Sequence, residues 1–189
     1  MLLCLVLVAA GIACAAAEGS PDPSSESVSA SSEWPALVLD GPITSFARND
    51  DPEFKVQARS GPGRAYVGVG VYKIKKAGTM KLLFREGGFA YIDMQYPGVG
   101  RRCLYLLAGT LSRNTAAEMG QTGIPAQTTE NVIPYYGPGK NYDSFEEATI
   151  GSGTQVTVFF ETDGWLFSEF NCGLGLVRAW LPAGQVSAK

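Results

Sequence analysis

The chain of 189 residues contains no histidine. The usual general base and the commonest neutral metal ligand are therefore missing, and every nucleophile triad built on histidine is excluded. Cysteine is nearly as scarce: Cys4 and Cys14 lie in the N-terminal apolar run, which leaves Cys103 and Cys172. Two cysteines without histidine cannot complete an ordinary four-ligand zinc site; they either form one disulfide or sit apart as small buried hydrophobes. A cysteine nucleophile needs an activator, and only Arg101-Arg102 stands beside Cys103 in the sequence. Positive charge is short as well. The 15 basic against 18 acidic residues give a net charge of −3 with no basic stripe, which argues against nucleic acid as a partner. The chain has no phosphate-cradling glycine loop with its lysine and no segment with a convincing helical period. Its acidic pairs, Asp50-Asp51 and Glu146-Glu147, are adjacent residues that point to opposite faces of a strand or into solvent. No catalytic residue, metal ligand or cofactor is expected, and the chain is expected not to be an enzyme.

Residues 1–17, MLLCLVLVAAGIACAAA, are uncharged and almost wholly apolar. The run is slightly short for a membrane span and fits the apolar region of a signal peptide, with Ala15-Ala16-Ala17 suited to cleavage before Glu18. No Lys or Arg precedes it, which makes the signal atypical, and an uncleaved membrane anchor is the alternative. Gly-Ile-Ala-Cys at 11–14 partly resembles a bacterial lipoprotein box, with Gly11 where leucine is usual; membrane attachment is expected only if Cys14 is lipidated. Residues 18–33 are Ser-rich, acidic and poor in large apolar side chains, the composition of a disordered tether.

GPGRAY at 61–66 recurs as GPGKNY at 137–142, a shift of 76 residues. Gly-Pro-Gly is turn chemistry. The same shift places Tyr66 on Tyr142, Gly88-Phe89 on Gly164-Trp165, Asp93 on Glu169 and Arg102 on Arg178. Gly78-Thr79 meets Gly153-Thr154 after a slip of one residue. Met80, Leu82 and Phe84 alternate as Val156, Val158 and Phe160 do, the pattern of a half-buried strand. REGG (85–88) and ETDG (161–164) have the form of tight hairpin loops leading into aromatic second strands. Asp93 with Arg102, and Glu169 with Arg178, are expected to form equivalent cross-strand ion pairs. Units this small, when all-β, close into barrels to remove their edges. The expected organisation is a first barrel with an N-terminal extension over 34–111, a linker over 112–129 and a second barrel over 130–189. The stretch 34–53 is expected to pack on the first unit as an added strand.

Arg-Ser-Gly-Pro-Gly at 59–63 with Tyr66, Gly78-Thr79 and Gly88-Phe89 resembles the pattern of the bacterial SH3-like (SH3b) domain family. The second unit repeats it with Gly-Pro-Gly at 137–139, Tyr142, Gly153-Thr154, Gly164-Trp165 and Arg-Ala-Trp-Leu-Pro-Ala at 178–183. The first unit departs at its end, where Cys-Leu-Tyr-Leu-Leu at 103–107 replaces that last motif. The resemblance implies an all-β chain of two tandem small SH3-like β-barrels. It also implies binding of peptides, often the stem or cross-bridge peptides of cell-wall peptidoglycan, and attachment of a secreted protein to the wall. Aromatic side chains offer large, stiff contact area with a polar handle, which suits such ligands. The candidate ligand-binding residues are Tyr66, Phe89 and Tyr91 in the first unit and Tyr135, Tyr136, Tyr142, Trp165 and Trp180 in the second, with Glu169 and Arg178 as polar partners. The expected protein is a secreted, envelope-associated monomer that binds cell-wall peptide without catalysis. The alternative is a scaffolding lipoprotein that binds a surface protein.

Overall fold

The computed structural model of the chain describes residues 33–47, 54–73, 80–113 and 115–189. The leader, the tether up to Ser32 and the Gly78-Thr79 pair lie outside them. All-β is what the described residues build. The first half contributes β1 (Ile43–Thr44), β2 (Lys55–Arg59), β3 (Gly68–Lys73), β4 (Met80–Glu86), β5 (Phe89–Tyr96) and β6 (Gly100–Leu107). The second contributes β7 (Ile124–Thr128), β8 (Gln155–Thr162), β9 (Trp165–Cys172), β10 (Gly175–Pro182) and β11 (Val186–Ala188). They pair into a six-stranded sheet, β1-β4-β5-β6-β2-β3, and a five-stranded sheet, β10-β9-β8-β7-β11. Within the two sheets every strand pairing is antiparallel, and among the described residues neither sheet closes on itself.

Both expected hairpins form. Gly87-Gly88 (φ 53° and 83°) joins β4 to β5, and Asp163-Gly164 (φ 50° and 77°) joins β8 to β9. Positive φ at both central positions gives the type I′ turn, whose twist matches that of the strands it joins. The ladders also break at the same point, between Leu82 and Phe84 and between Val158 and Phe160. Leu83 and Phe159 are thus the extra residues of two equivalent β-bulges.

The repeat extends further toward the N-terminus than the 76-residue shift reveals. After a 3₁₀ turn at Ala183–Gln185, β11 returns to pair with β7. After the corresponding turn at Ala108–Thr110, Leu111 bridges Phe46. The stretch 112–129, expected to be a linker, holds a strand: β7 lies inside it and pairs with both β8 and β11. Its signal is weak because Gly123 and Pro125 read as loop, and only Ala126 and Thr128 turn fully inward. Gly41-Pro42-Ile43 and Gly123-Ile124-Pro125 correspond at a shift of 82, six residues out of step with the rest.

Of the stretch 34–53, residues 48–53 lie outside the described residues, and residues 34–47 do not belong wholly to the first half. β1 pairs with β4, but Leu37 N–H donates to the Glu161 carbonyl (3.1 Å) and Glu161 N–H to the Pro35 carbonyl (2.8 Å). The segment before the second half does the converse. Arg85 N–H donates to Ala117 (2.9 Å) and Met119 N–H to Arg85 (2.8 Å). Each half sends its leading arm onto the free edge of the other, which satisfies backbone groups left open where β4 and β8 bend. Ser32–Lys189 accordingly forms one compact unit.

Between the halves lies an aromatic core to which both contribute: Phe84, Tyr91 and Tyr105 from one, Phe159, Phe160, Phe167 and Trp180 from the other. Tyr91 meets Phe167 at 5.1 Å and Phe84 meets Phe160 edge-on at 6.0 Å, and each pair joins residues equivalent under the repeat. Such pairs contribute about 0.5–1.5 kcal/mol each beyond their area. Trp180 Nε1 donates to the Tyr91 hydroxyl (2.8 Å), so the one buried indole donor of this core is satisfied across the junction.

Candidate functional site at the junction of the halves

The two Gly-Pro-Gly loops are built alike. Gly63 N–H donates to the Gly61 carbonyl (3.0 Å) and Gly139 N–H to that of Gly137 (2.9 Å), closing each turn around its proline. The tyrosine three residues beyond the triplet folds back over the first glycine. A Cβ on Gly61 or Gly137 would lie 2.0 Å from a ring atom of Tyr66 or Tyr142, so the triplet and the tyrosine form one packed unit.

That unit docks on the other half of the molecule. The Tyr66 hydroxyl donates to Glu169, and the Tyr142 hydroxyl donates to Asp93 (2.9 Å). Val67 N–H donates to the Leu176 carbonyl (3.0 Å), and Asp143 N–H to that of Arg101 (3.0 Å). Arg178 N–H donates to Ser60 (3.3 Å), and Cys103 N–H to Tyr136 (2.7 Å). Three contacts thus recur with the roles of the halves exchanged, the reciprocity of an isologous interface. The six letters are written twice because each copy, with the residues that flank it, grips the last two long strands of the other half.

The two sides differ in charge. Arg178 stands opposite Glu169 in the β9–β10 ladder and bonds it through Nε (2.7 Å), as expected. It also pairs with Glu86 of the first half, and its guanidinium lies 4.3 Å over the Phe159 ring, with the side chain only 6% exposed. Burial opposes its charge, but Tyr105, Glu169 and Glu86 outweigh that and raise its pKa. Burial, and then the bond to Glu169, pushes Tyr66 up to about 12.

The corresponding ion pair in the first half is not the expected one. Asp93 faces Cys103 in the β5–β6 ladder and is held by Arg101 through Nε (3.1 Å) and Nη2 (2.6 Å), while Arg102 bonds Asp143 (2.6 Å). Pro97-Gly98-Val99 joins β5 to β6, whereas only Gly173-Leu174 joins β9 to β10. The longer loop shifts the returning strand by one residue and puts Cys103 where the other half has Arg178. Cys103 and Cys172 are both free thiols. Burial, reinforced by Asp93, pushes the Cys103 thiol well above its ordinary value, which opposes formation of a thiolate.

The aromatic candidates do not share one groove. Tyr91 and Trp180 are buried in the core between the halves. Tyr66, Glu169 and Arg178 form one reciprocal network, and Tyr142 belongs to the other with Asp93 and Arg101. Tyr136 is buried, stacked on Phe145 at 4.5 Å beneath Arg102. Tyr135 and Trp165 are half-buried and meet edge-on at 5.0 Å, and Phe89 is half-buried opposite Leu107.

What remains open is a cleft of about 500 Å³ on the Asp93 side, within the usual size of a ligand site. Its walls include Lys81, Leu83, Asp93 and Arg101 of the first half, Asn141 and Tyr142 of the second half's loop, and Asp163 of the second half's hairpin. Residues 36–39 of the leading arm complete it. On the opposite side, the bulge position of Leu83 holds Phe159, 8% exposed beneath Arg178. The inequality of the cleft therefore traces to two sequence differences, Leu83 against Phe159 and Cys103 against Arg178. Sequence reasoning missed Lys81, Leu83, Arg101 and Asn141. Asp93 carried a signal only as a staple of its hairpin. Among the described residues, no group of three or more Cys, Asp or Glu is placed to hold a metal ion.

No family model matches the sequence, and no curated protein matches it. Two solved structures from Trichomonas vaginalis are similar at a distance. NlpC1 has 14% identity and a TM-score of 0.33 over 82% of this chain, and NlpC2 has 15% identity and 0.31 over 81%. The chain spans about half the length of each, 49% and 50%. At these values the likeness bears on neither family nor activity.

Proposed function

We propose that the chain is a non-catalytic, exported binding protein of the cell envelope, a monomer whose two halves are SH3-like barrels. Its ligand class is a peptide, with the stem or cross-bridge peptides of peptidoglycan as the first candidates. The observation that carries this is the cleft between the halves on the Asp93 side, about 500 Å³ and lined from both halves, where the Glu169 side has Phe159 under Arg178 and a smaller hollow of about 300 Å³ lined by the second half. Its walls offer charges of both signs, Lys81 and Arg101 against Asp93 and Asp163, together with the Tyr142 ring. Such a surface suits a zwitterionic peptide better than a uniformly charged polymer. The SH3-like assignment draws on the second half, where four strands and a 3₁₀ turn lead into β11, which returns to the first strand. Burial of Cys103 supports the non-catalytic assignment.

The test is sedimentation of residues 18–189 with insoluble peptidoglycan sacculi. The control is Leu83→Phe, which copies into the cleft the residue found at the same bulge on the Glu169 side. Wild type is expected to sediment and Leu83→Phe to stay in solution with an unchanged melting temperature. Wild type that stays in solution rules out wall binding.

A second assignment, a protein partner at the cell surface, has its own observation. Leu174 is 55% exposed beside a hollow of about 320 Å³ lined by Val67, Val69, Tyr136 and Phe145. Leu174→Asp abolishing capture of a surface protein, with sacculus binding absent, would favour it.

A further inference from the structure

The cleft does not end at the arm that borders it. A second cavity of about 320 Å³, lined by Pro42, Phe84, Ala116 and Met119, lies between the two leading arms and shares Leu37, Val38 and Leu83 with the first. One ion pair joins the two spaces. Lys81 lines the polar cleft, Asp40 lines the second cavity, and Lys81 Nζ lies 2.8 Å from Asp40 Oδ1. The two cations of the polar wall are held very differently. Arg101 is gripped by two bonds to Asp93, whose side chain is 10% exposed, whereas Lys81 is held by an Asp40 side chain 81% exposed and by a long bond to the Leu39 carbonyl (3.4 Å). A carboxylate so open to water is readily exchanged for another anion.

We propose that the cleft binds its peptide by a free carboxylate, which displaces Asp40 from the Lys81 ammonium while an aliphatic residue of the same ligand enters the cavity between the arms. The proposal rests on the peptide-binding role assigned to this cleft. A carboxylate fits better than a phosphate because Asp93, Glu161 and Asp163 also line the polar wall, and a dianion would meet more repulsion than attraction there. The same acidic groups favour an amine elsewhere on the ligand. The lining of the second cavity is mainly apolar and its space is modest, which favours a small aliphatic side chain over an aromatic one.

The probe is N-acetyl-trialanine as the free acid, compared with its C-terminal amide, titrated into residues 18–189 and followed by amide chemical shifts. The acid is expected to move Val38, Lys81 and Leu83 and to bind at least about tenfold more tightly than the amide, the usual worth of a bond to a charged group. Lys81→Gln is expected to reduce the acid to the affinity of the amide. Asp40→Asn, which removes the competing anion, is expected to strengthen acid binding about two- to fivefold. Equal affinity of acid and amide, no binding of the acid, or acid binding unchanged in Lys81→Gln each overturns the proposal. Sacculi that sediment the wild type and Lys81→Gln equally well overturn it too and leave wall binding standing. Acid binding at Lys81 without sedimentation supports it and removes the wall as the source of the peptide.

Discussion

Replacing Arg178 with alanine should be among the most damaging changes to a charged residue in this chain. The side chain is 6% exposed and reaches two carboxylates of different halves, Glu169 and Glu86, each 23% exposed. Removing one partner of a buried ion pair leaves uncompensated charge and costs about 3–5 kcal/mol. Here water can reach both stranded carboxylates in part, so the lower end applies, about 3 kcal/mol. For a chain of this size that lowers the melting temperature by about 6–12 °C. Urea unfolding followed by Trp fluorescence gives the value directly. Glu118→Ala breaks a looser contact to Arg85 (3.5 Å) from a side chain 59% exposed, and it should stay within about 0.5 kcal/mol of wild type. Neutralising the whole network at once, with Arg178→Met, Glu86→Gln and Glu169→Gln combined, should recover most of the loss, because no charge is left buried. An Arg178→Ala protein as stable as Glu118→Ala would refute the claim that this network joins the halves.

The remaining expectations concern the same junction. Tyr66 keeps its proton to about pH 12 when folded, against 10 for an ordinary tyrosine, so the unfolded chain releases its proton first as pH rises. The contribution of Tyr66 to stability should be level below pH 10 and fall between about 10 and 12, so Tyr66→Phe should flatten part of the alkaline slope in urea midpoints measured at pH 9 and 11. Gly61→Ala and Gly137→Ala should each cost about 1–3 kcal/mol by forcing a tyrosine ring off its loop, whereas Gly184→Ala, with open space around it, should be tolerated. A thiol reagent should label half-buried Cys172 in the native protein and reach buried Cys103 only on unfolding; fast labelling of both would contradict the burial assigned to β6.

Much of each half can be read from sequence because its signals are local. Gly87-Gly88 and Asp163-Gly164 fix two turns, and Met80 with Leu82 fixes a face, although the bulge at Leu83 turns Phe84 to the opposite face, into the aromatic core between the halves. The Glu169–Arg178 pair follows from a hairpin whose loop can be counted. Its supposed counterpart, Asp93 with Arg102, fails for the same kind of reason, since one extra loop residue turns Arg102 to the other face of the sheet and brings Cys103 opposite Asp93. The exchanged arms are illegible because Leu37 and Glu161 are 124 positions apart and joined by backbone bonds, which carry no side-chain signature. The partners of Tyr66 and Tyr142 are hidden similarly. A tyrosine beside a turn looks the same whether it faces a ligand or the other half of its own chain, and here both hydroxyls are spent within the molecule. The cleft follows from a difference between the halves, Leu83 against Phe159, that gains meaning only once the two bulges are superposed.

The most direct test of the account is to titrate residues 18–189 with soluble stem-peptide fragments of peptidoglycan and map the amide shifts. Changes are expected at Lys81, Leu83, Arg101, Asn141 and Tyr142, around the cleft between the halves, with Tyr135 and Trp165 unmoved. Shifts centred on Tyr135 and Trp165 would instead place recognition away from the cleft and contradict a site built around Lys81 and Arg101.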